Sequence, residues 1–182
     1  MGERNDTWSE WDADGSSGGF HCDLNARFPN VEDPSELFLR LTRELQRFYP
    51  IRKGLLATRE KGSTRFTATA SFSERKTRRN LSLRIPAISS LFEKVAEGGS
   101  LYSENCAEFF SGNSFERNLL LDESTSSYIL QPLKHEGQVI GLLGFSSDET
   151  AAFAVFETGL LDTIAEQLAS RIARRLPEEK PH

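Results

Sequence analysis

Catalysis or ligation would need a nucleophile, a proton shuttle, a metal cage or a phosphate cradle, and this chain offers few candidates. Cys106 is the first. It sits in Glu104-Asn105-Cys106-Ala107-Glu108, where flanking carboxylates disfavour the reactive thiolate. A small, partly buried filler is the plain reading of Cys106, and a redox-sensing thiol is the functional one. Cys22 is the other cysteine of the chain, far away and in a different context. Two such thiols read as free, which fits a reducing cytoplasm. The three histidines, His21, His135 and His182, are too scattered to share a metal. No phosphate loop, dinucleotide glycine turn, paired-histidine metal motif or serine elbow is present. No cofactor is therefore evident. The strongest charge run is Arg75-Lys76-Thr77-Arg78-Arg79. It could grip phosphates, but no aromatic residue interleaves with it to stack bases, and a solvated loop is the simpler account.

The bulk of the chain narrows the classes. Its 182 residues suit one domain, and 37% hydrophobic against 27% charged residues describes a water-soluble globule. A net charge of −5 disfavours nucleic-acid binding. No apolar run approaches the length of a membrane span, and the polar start Met1-Gly2-Glu3-Arg4-Asn5-Asp6 lacks a signal-peptide core. The expected location is cytoplasmic, with no membrane.

The elements that would position any site follow from periodicity. Residues 1–32 read as a flexible acidic arm with Gly15-Ser16-Ser17-Gly18-Gly19, in which Trp8 and Trp11 are unusual. Order is expected from Asp33, a helix cap followed by Pro34, with Glu36 completing a capping-box-like pattern. Leu37, Phe38, Leu41, Leu45 and Phe48 recur at helical spacing, and Pro50 stops that helix. Strands are expected at Gly54–Thr58, Phe66–Phe72, Leu81–Ile85, Leu101–Ser103, Ser127–Leu133 and Val139–Phe145. Ser73–Arg79 is expected as a loop. Ile88, Leu91, Phe92 and Val95 mark a short helix closed by Gly98-Gly99. Residues 104–126 are irregular, with a helical turn at Phe115–Leu121. His135-Glu136-Gly137-Gln138 turns a hairpin. A closing helix runs over about 150–176, and a tail over 177–182. The class is α+β: a mostly antiparallel six-stranded sheet, terminal helices on one face, a short helix and an irregular cover on the other.

The C-terminal half resembles the GAF family. The stretch Ser127-Tyr128-Ile129-Leu130-Gln131-Pro132-Leu133, then Glu136-Gly137-Gln138-Val139-Ile140-Gly141-Leu142-Leu143, is similar to that family's final hairpin. Leu160-Leu161-Asp162-Thr163-Ile164-Ala165-Glu166-Gln167-Leu168-Ala169 is similar to its closing helix, and Leu91–Gly99 to its short central helix. PAS domains share the architecture. The resemblance covers about residues 33–175 and makes 33–176 the domain. It implies a small-molecule pocket beneath the cover and terminal helices that pair between subunits. Within such a family, Asn113-Ser114-Phe115 and Asp122-Glu123 evoke a cyclic-nucleotide signature, but the lysine is missing and the spacing is too long. Free methionine-(R)-sulfoxide reductases of this type carry cysteines beside the third strand, in the short helix and in the cover. Here Leu81, Leu83, Leu91 and Phe92 stand in the first two places. A lone Cys106 cannot form the resolving disulfide.

Independently of the family, Gly141 leaves room for a close neighbour, and Pro132 belongs at a bulge or edge-like position. Phe92, Phe109, Phe115, Leu119 and Leu120 are the expected pocket lining, since they are too many apolar residues for a solvated cover. Phe153, Phe156, Leu160 and Ile164 form a stripe on the closing helix, widened by Leu161, Leu168 and Ile172, and are the expected homodimer seam. The functional expectation is a regulatory module that senses a small molecule or dimerises in signal transduction, without catalysis, and is read by a partner protein. The alternatives are an interaction domain with a filled pocket and a Cys106 redox sensor.

Overall fold

In a computed structural model of the chain, the described residues are 24–59, 63, 65–74, 76–88, 90–98, 102–104, 113–122, 124–153 and 158–175. Trp8, Trp11, Cys22, Cys106, Phe109 and Phe156, together with the tail, lie outside them.

Among the described residues, the first element comes earlier than the sequence suggests. Leu24–Arg27 form a single helical turn, α1, and Leu24 is fully buried. Phe28 and Val31 pack against the same core. The arm expected over 1–32 is therefore too long by this turn. A lone leucine among polar residues carries no periodic signal, so its burial could not be read locally.

Helix α2, Pro34–Leu45, begins as expected. Asp33 is its extended N-cap and accepts a hydrogen bond from Ser35 N at 3.4 Å, with Pro34 in the first turn. Glu36 does not close a capping box. Its carboxylate instead meets Arg40 and Arg79, which hold its pKa below the ordinary glutamate value, Arg40 contributing most.

The strands are β1 (Lys53–Thr58), β2 (Thr67–Ser73), β3 (Thr77–Arg78), β4 (Leu83–Arg84), β5 (Tyr102–Glu104), β6 (Ser127–His135) and β7 (Gln138–Ser147). They form one sheet in the order β3-β2-β1-β7-β6-β5, with β4 also on β2, and every pairing is antiparallel. The six expected strands are all present. β3 is an addition, taken from the expected loop. The third expected strand is shorter than its alternation implies, since Leu83 faces out at 38% exposure while Ile85 is buried. Glu136 and Gly137 turn the β6–β7 hairpin with φ of 51° and 79°, the pattern of a type I′ turn. Pro132 lies beyond the described β5 pairing, which covers Tyr128–Leu130, and a register shift follows at Leu133/Lys134.

Helix α3 is Leu91–Gly98, α4 is Ser114–Leu119 and α5 is Thr158–Arg175. The closing helix is described from Thr158, and residues 151–153 upstream form a turn. One core layer lies between the sheet and α2/α5, with Phe38 stacked on Phe145 at 6.2 Å. A second layer lies between the opposite sheet face and α3, with Phe66 edge-on to Phe92 at 6.5 Å. Among the described residues, no helix is long and apolar enough to cross a membrane.

Three of the four residues of the expected dimer seam are used inside the chain. Phe153, Leu160 and Ile164 are buried in the first layer, as are Leu161, Leu168 and Ile172. α5 packs on β6, β7, α2 and α1 together, so its wide stripe covers four elements of its own chain. Its outward residues, including Asp162, Glu166 and Arg174, are polar and exposed.

Gly141 sits where β7 meets β1. A Cβ there would stand 2.8 Å from the Ala57 carbonyl oxygen and 3.0 Å from Leu133 Cδ1. Valine favours strands where space is open. Here it must push a paired backbone aside, so Gly141→Val is expected to cost about 3 kcal/mol. Urea unfolding reads this directly, and an unchanged or raised midpoint would show that the strands separate freely.

Candidate functional site

The cover over the second core layer is built from two short helices that neither propensity nor length would hold in place alone. A single carboxylate ties them. Asn113 caps α4 by accepting from Glu116 N at 2.9 Å, and Glu116 Oε1 accepts from Asn113 N at 3.0 Å, a complete capping box. The same Glu116 side chain also caps α3. It accepts from Ser90 Oγ at 2.7 Å, Leu91 N at 2.9 Å and Phe92 N at 3.0 Å. Glu116 is 0% exposed. Asn113 Nδ2 adds donations to the carbonyls of Pro86 at 2.8 Å and Ile88 at 3.2 Å. The start of α3 is thereby bound to the start of α4.

Four of the five expected pocket residues meet in this layer. Phe92 and Leu120 are fully buried in it, and Phe115 and Leu119 are partly buried against it. Phe109 lies outside the described residues. The layer joins them to Leu55, Phe66, Ile85, Tyr128 and Leu130.

A groove of about 510 Å³ opens at the C-terminal end of α4. Only Leu119 among the expected residues lines it. Its other walls are largely polar, from Arg52, Lys53, Ser71, Lys76, Arg78, Asn118 and Asp122. Lys53 pairs with Asp122, and Arg52 pairs with Glu74 at 2.8 Å and with Asp148 at 2.9 Å. Burial pushes the Lys53 pKa below its ordinary value although Asp122 faces it, so desolvation outweighs the partner. At the opposite end of the layer, Arg59 lies 5.1 Å from the Phe66 ring centroid and donates to the Val139 carbonyl at 2.7 Å. Burial lowers its pKa, and nearby Glu93 opposes that shift.

His135 stands half-exposed beside Glu136 at 3.8 Å. Among the described residues, no group of three or more His, Cys, Asp or Glu could hold a metal ion. The arrangement offers a packed apolar layer and, beside α4, a groove with more cationic than acidic side chains among its described residues.

Residues 33–174 match the family profile of the GAF domain. The chain belongs to the GAF domain family. Solved structures agree in fold. The GAF domain of a phosphoenolpyruvate-protein phosphotransferase from Coxiella burnetii superposes with a TM-score of 0.67 at 17% identity, over 83% of this chain and 89% of that one. A type II free methionine-R-sulfoxide reductase from Thermoplasma acidophilum gives 0.61 at 19%, over 85% and 98%. The free methionine-R-sulfoxide reductase from Neisseria meningitidis, solved with its substrate, gives 0.63 at 15%, over 82% and 84%. No curated protein matches the chain in sequence. A GAF domain is typically a sensory or regulatory module in signalling, yet the fold also carries enzymes.

Glu116, with four hydrogen bonds among the described residues, is one that apolar pattern reading passes over. Asn113-Ser114-Phe115-Glu116 has capping-box spacing, and that was the available signal. Its second task, capping α3 from 24 or 25 residues away, has no local signal.

Proposed function

We propose that this GAF domain is a regulatory small-molecule sensor without catalytic activity. The observation that supports it most is the cover itself. Its two helices are fixed to each other by Glu116 over an apolar layer, and Leu91 and Phe92 occupy the helix start in place of thiols. A lining of apolar side chains with few polar groups suits ligand retention. Catalysis needs a nucleophile held against an acid or base, and the sequence places no second cysteine beside Cys106 in the strand, short helix or cover to resolve a sulfenic acid. A change in the layer would reach α2 and α5 through the sheet they share.

The reading separates from the reductase reading in one assay. The full chain is incubated with free methionine-(R)-sulfoxide and dithiothreitol, beside Cys106→Ser. The expected result is no turnover above the Cys106→Ser background. Turnover that disappears with the thiol would assign an enzyme and end this proposal. The full burial of Phe92 and Leu120 favours a second reading, an interaction domain with a filled layer. A metabolite thermal-shift panel distinguishes it: a sensor gains stability by mass action from its ligand, and a filled layer gains none.

A further inference from the structure

The basic run at 75–79 has no part in the reading above, and the sheet divides it. Arg78 stands opposite Ser71, which in turn stands opposite Leu55. Paired residues share a face, so Arg78 lies on the side of the second core layer. Arg79 turns to the other side and meets Glu36 of α2. Lys76 and Arg78 are left on the groove beside α4.

Among the described residues, the groove's charges do not balance. Its lining holds four cations, Arg52, Lys53, Lys76 and Arg78, and two carboxylates, Glu74 and Asp122. Both carboxylates are engaged, Glu74 by Arg52 and Asp122 by Lys53. Lys76 and Arg78 have no ion-pair partner among the described residues. Ser71 and Asn118 also face this space and spend no side-chain hydrogen bond elsewhere among those residues. Two unmatched cations and two idle polar groups therefore converge on a concavity of about 510 Å³, a size that suits a metabolite.

The geometry points to a site for a compact dianion of the phosphate-ester or pyrophosphate type, held by Lys76 and Arg78 with Ser71 and Asn118 as donors. An arginine fork and a lysine point charge are the usual grip on such groups. Glu74 and Asp122 in the walls, with a net charge of −5 on the chain, oppose an extended polyanion. The site shares only Leu119 with the apolar candidates, so it stands whether or not the apolar layer takes a ligand.

Calorimetric titration of the full chain with inorganic pyrophosphate, at constant ionic strength, tests it. The expected result is saturable binding of one pyrophosphate with a Kd of about 1 mM or tighter. Arg78→Ala and Lys76→Ala should each weaken it about tenfold, as loss of a charge-assisted contact does. Both side chains are exposed, so the fold is not at stake. Arg79→Ala removes a cation of the same run from the opposite face and should leave affinity within about twofold. Three results would each overturn the proposal. They are no saturation by about 10 mM pyrophosphate, an Arg79→Ala loss equal to that of Arg78→Ala, and tighter binding of a short single-stranded oligonucleotide than of pyrophosphate.

Discussion

Glu116→Ala is expected to lower the stability of the domain by about 4 kcal/mol, and most of the damage should be confined to the cover. The carboxylate accepts four hydrogen bonds in a fully buried position, three of them from backbone N–H groups of Leu91, Phe92 and Asn113. Removing it strands buried donors, at roughly 1–3 kcal/mol for each that water cannot reach. It also withdraws negative charge from the N-terminus of α3, where the helix dipole favours it. Glutamine should not rescue. All four partners are donors, and a carboxylate offers only acceptors, whereas an amide would turn an NH₂ towards Ser90 and Phe92 or towards Leu91 and Asn113. Aspartate keeps the chemistry but falls a methylene short of a network with distances of 2.7 to 3.0 Å. Urea unfolding measures the total, with Glu116→Gln expected within about 1 kcal/mol of Glu116→Ala. Native-state hydrogen exchange measures the place. Amides of α3 and α4 should lose protection, while those of α2 and α5, across the sheet, keep theirs. Uniform loss over the whole domain, or full stability in the glutamine variant, would show that the carboxylate is not the tie between the two helices.

This residue marks the boundary of what the sequence makes legible. Apolar periodicity is a local property, and it located six of the seven strands and the core-facing residues of α2 and α3. It also identified the stripe on α5, but not what covers that stripe. Phe153, Leu160 and Ile164 look surplus when the helix is considered alone, and they are consumed once α1, α2, β6 and β7 all press on it. The candidate site was legible in the same uneven way. Phe92, Phe115, Leu119 and Leu120 do share one layer, because apolar residues on both covering elements have only one sheet face to meet. The groove was not legible, because its walls come from β1, β2, the β2–β3 turn, β3, the end of α4 and the loop after it. Polar residues brought together by a ladder carry no periodic signature, and only the register shows that Arg78 and Arg79 part company.

Removing residues 1–31 is expected to destabilise the domain by more than about 5 kcal/mol, although the family match begins only at Asp33. Leu24 is 0% exposed in the first core layer, where loss of a buried leucine side chain alone costs roughly 2–5 kcal/mol. Phe28 and Val31, partly buried on the same layer, would be lost with it. Polar clamps go too. Arg171, only 7% exposed, donates to the carbonyls of Val31 and, at 3.5 Å, of Phe28. The Gln167 side chain accepts from Leu24 N at 2.5 Å, and Arg27 pairs with Glu44 at 2.8 Å. Truncation takes away the Val31 and Phe28 carbonyls that accept from the Arg171 guanidinium, and a buried charge that loses acceptors is costly. Total stabilities of about 5–15 kcal/mol leave little margin for such a loss. The shortened chain should melt many degrees lower or fail to fold. Two point variants of the full chain keep the test decisive if it does fail. Leu24→Ala should lose roughly 2–5 kcal/mol. Arg171→Met removes the charge together with its need for acceptors, so it should make a subsequent truncation cost less than it does in the parent chain. Equal melting midpoints for the full and shortened chains would show that α1 rests on the domain without supporting it. Strict additivity of Arg171→Met with truncation would show that the arginine holds its place by packing rather than through the carbonyls of Phe28 and Val31.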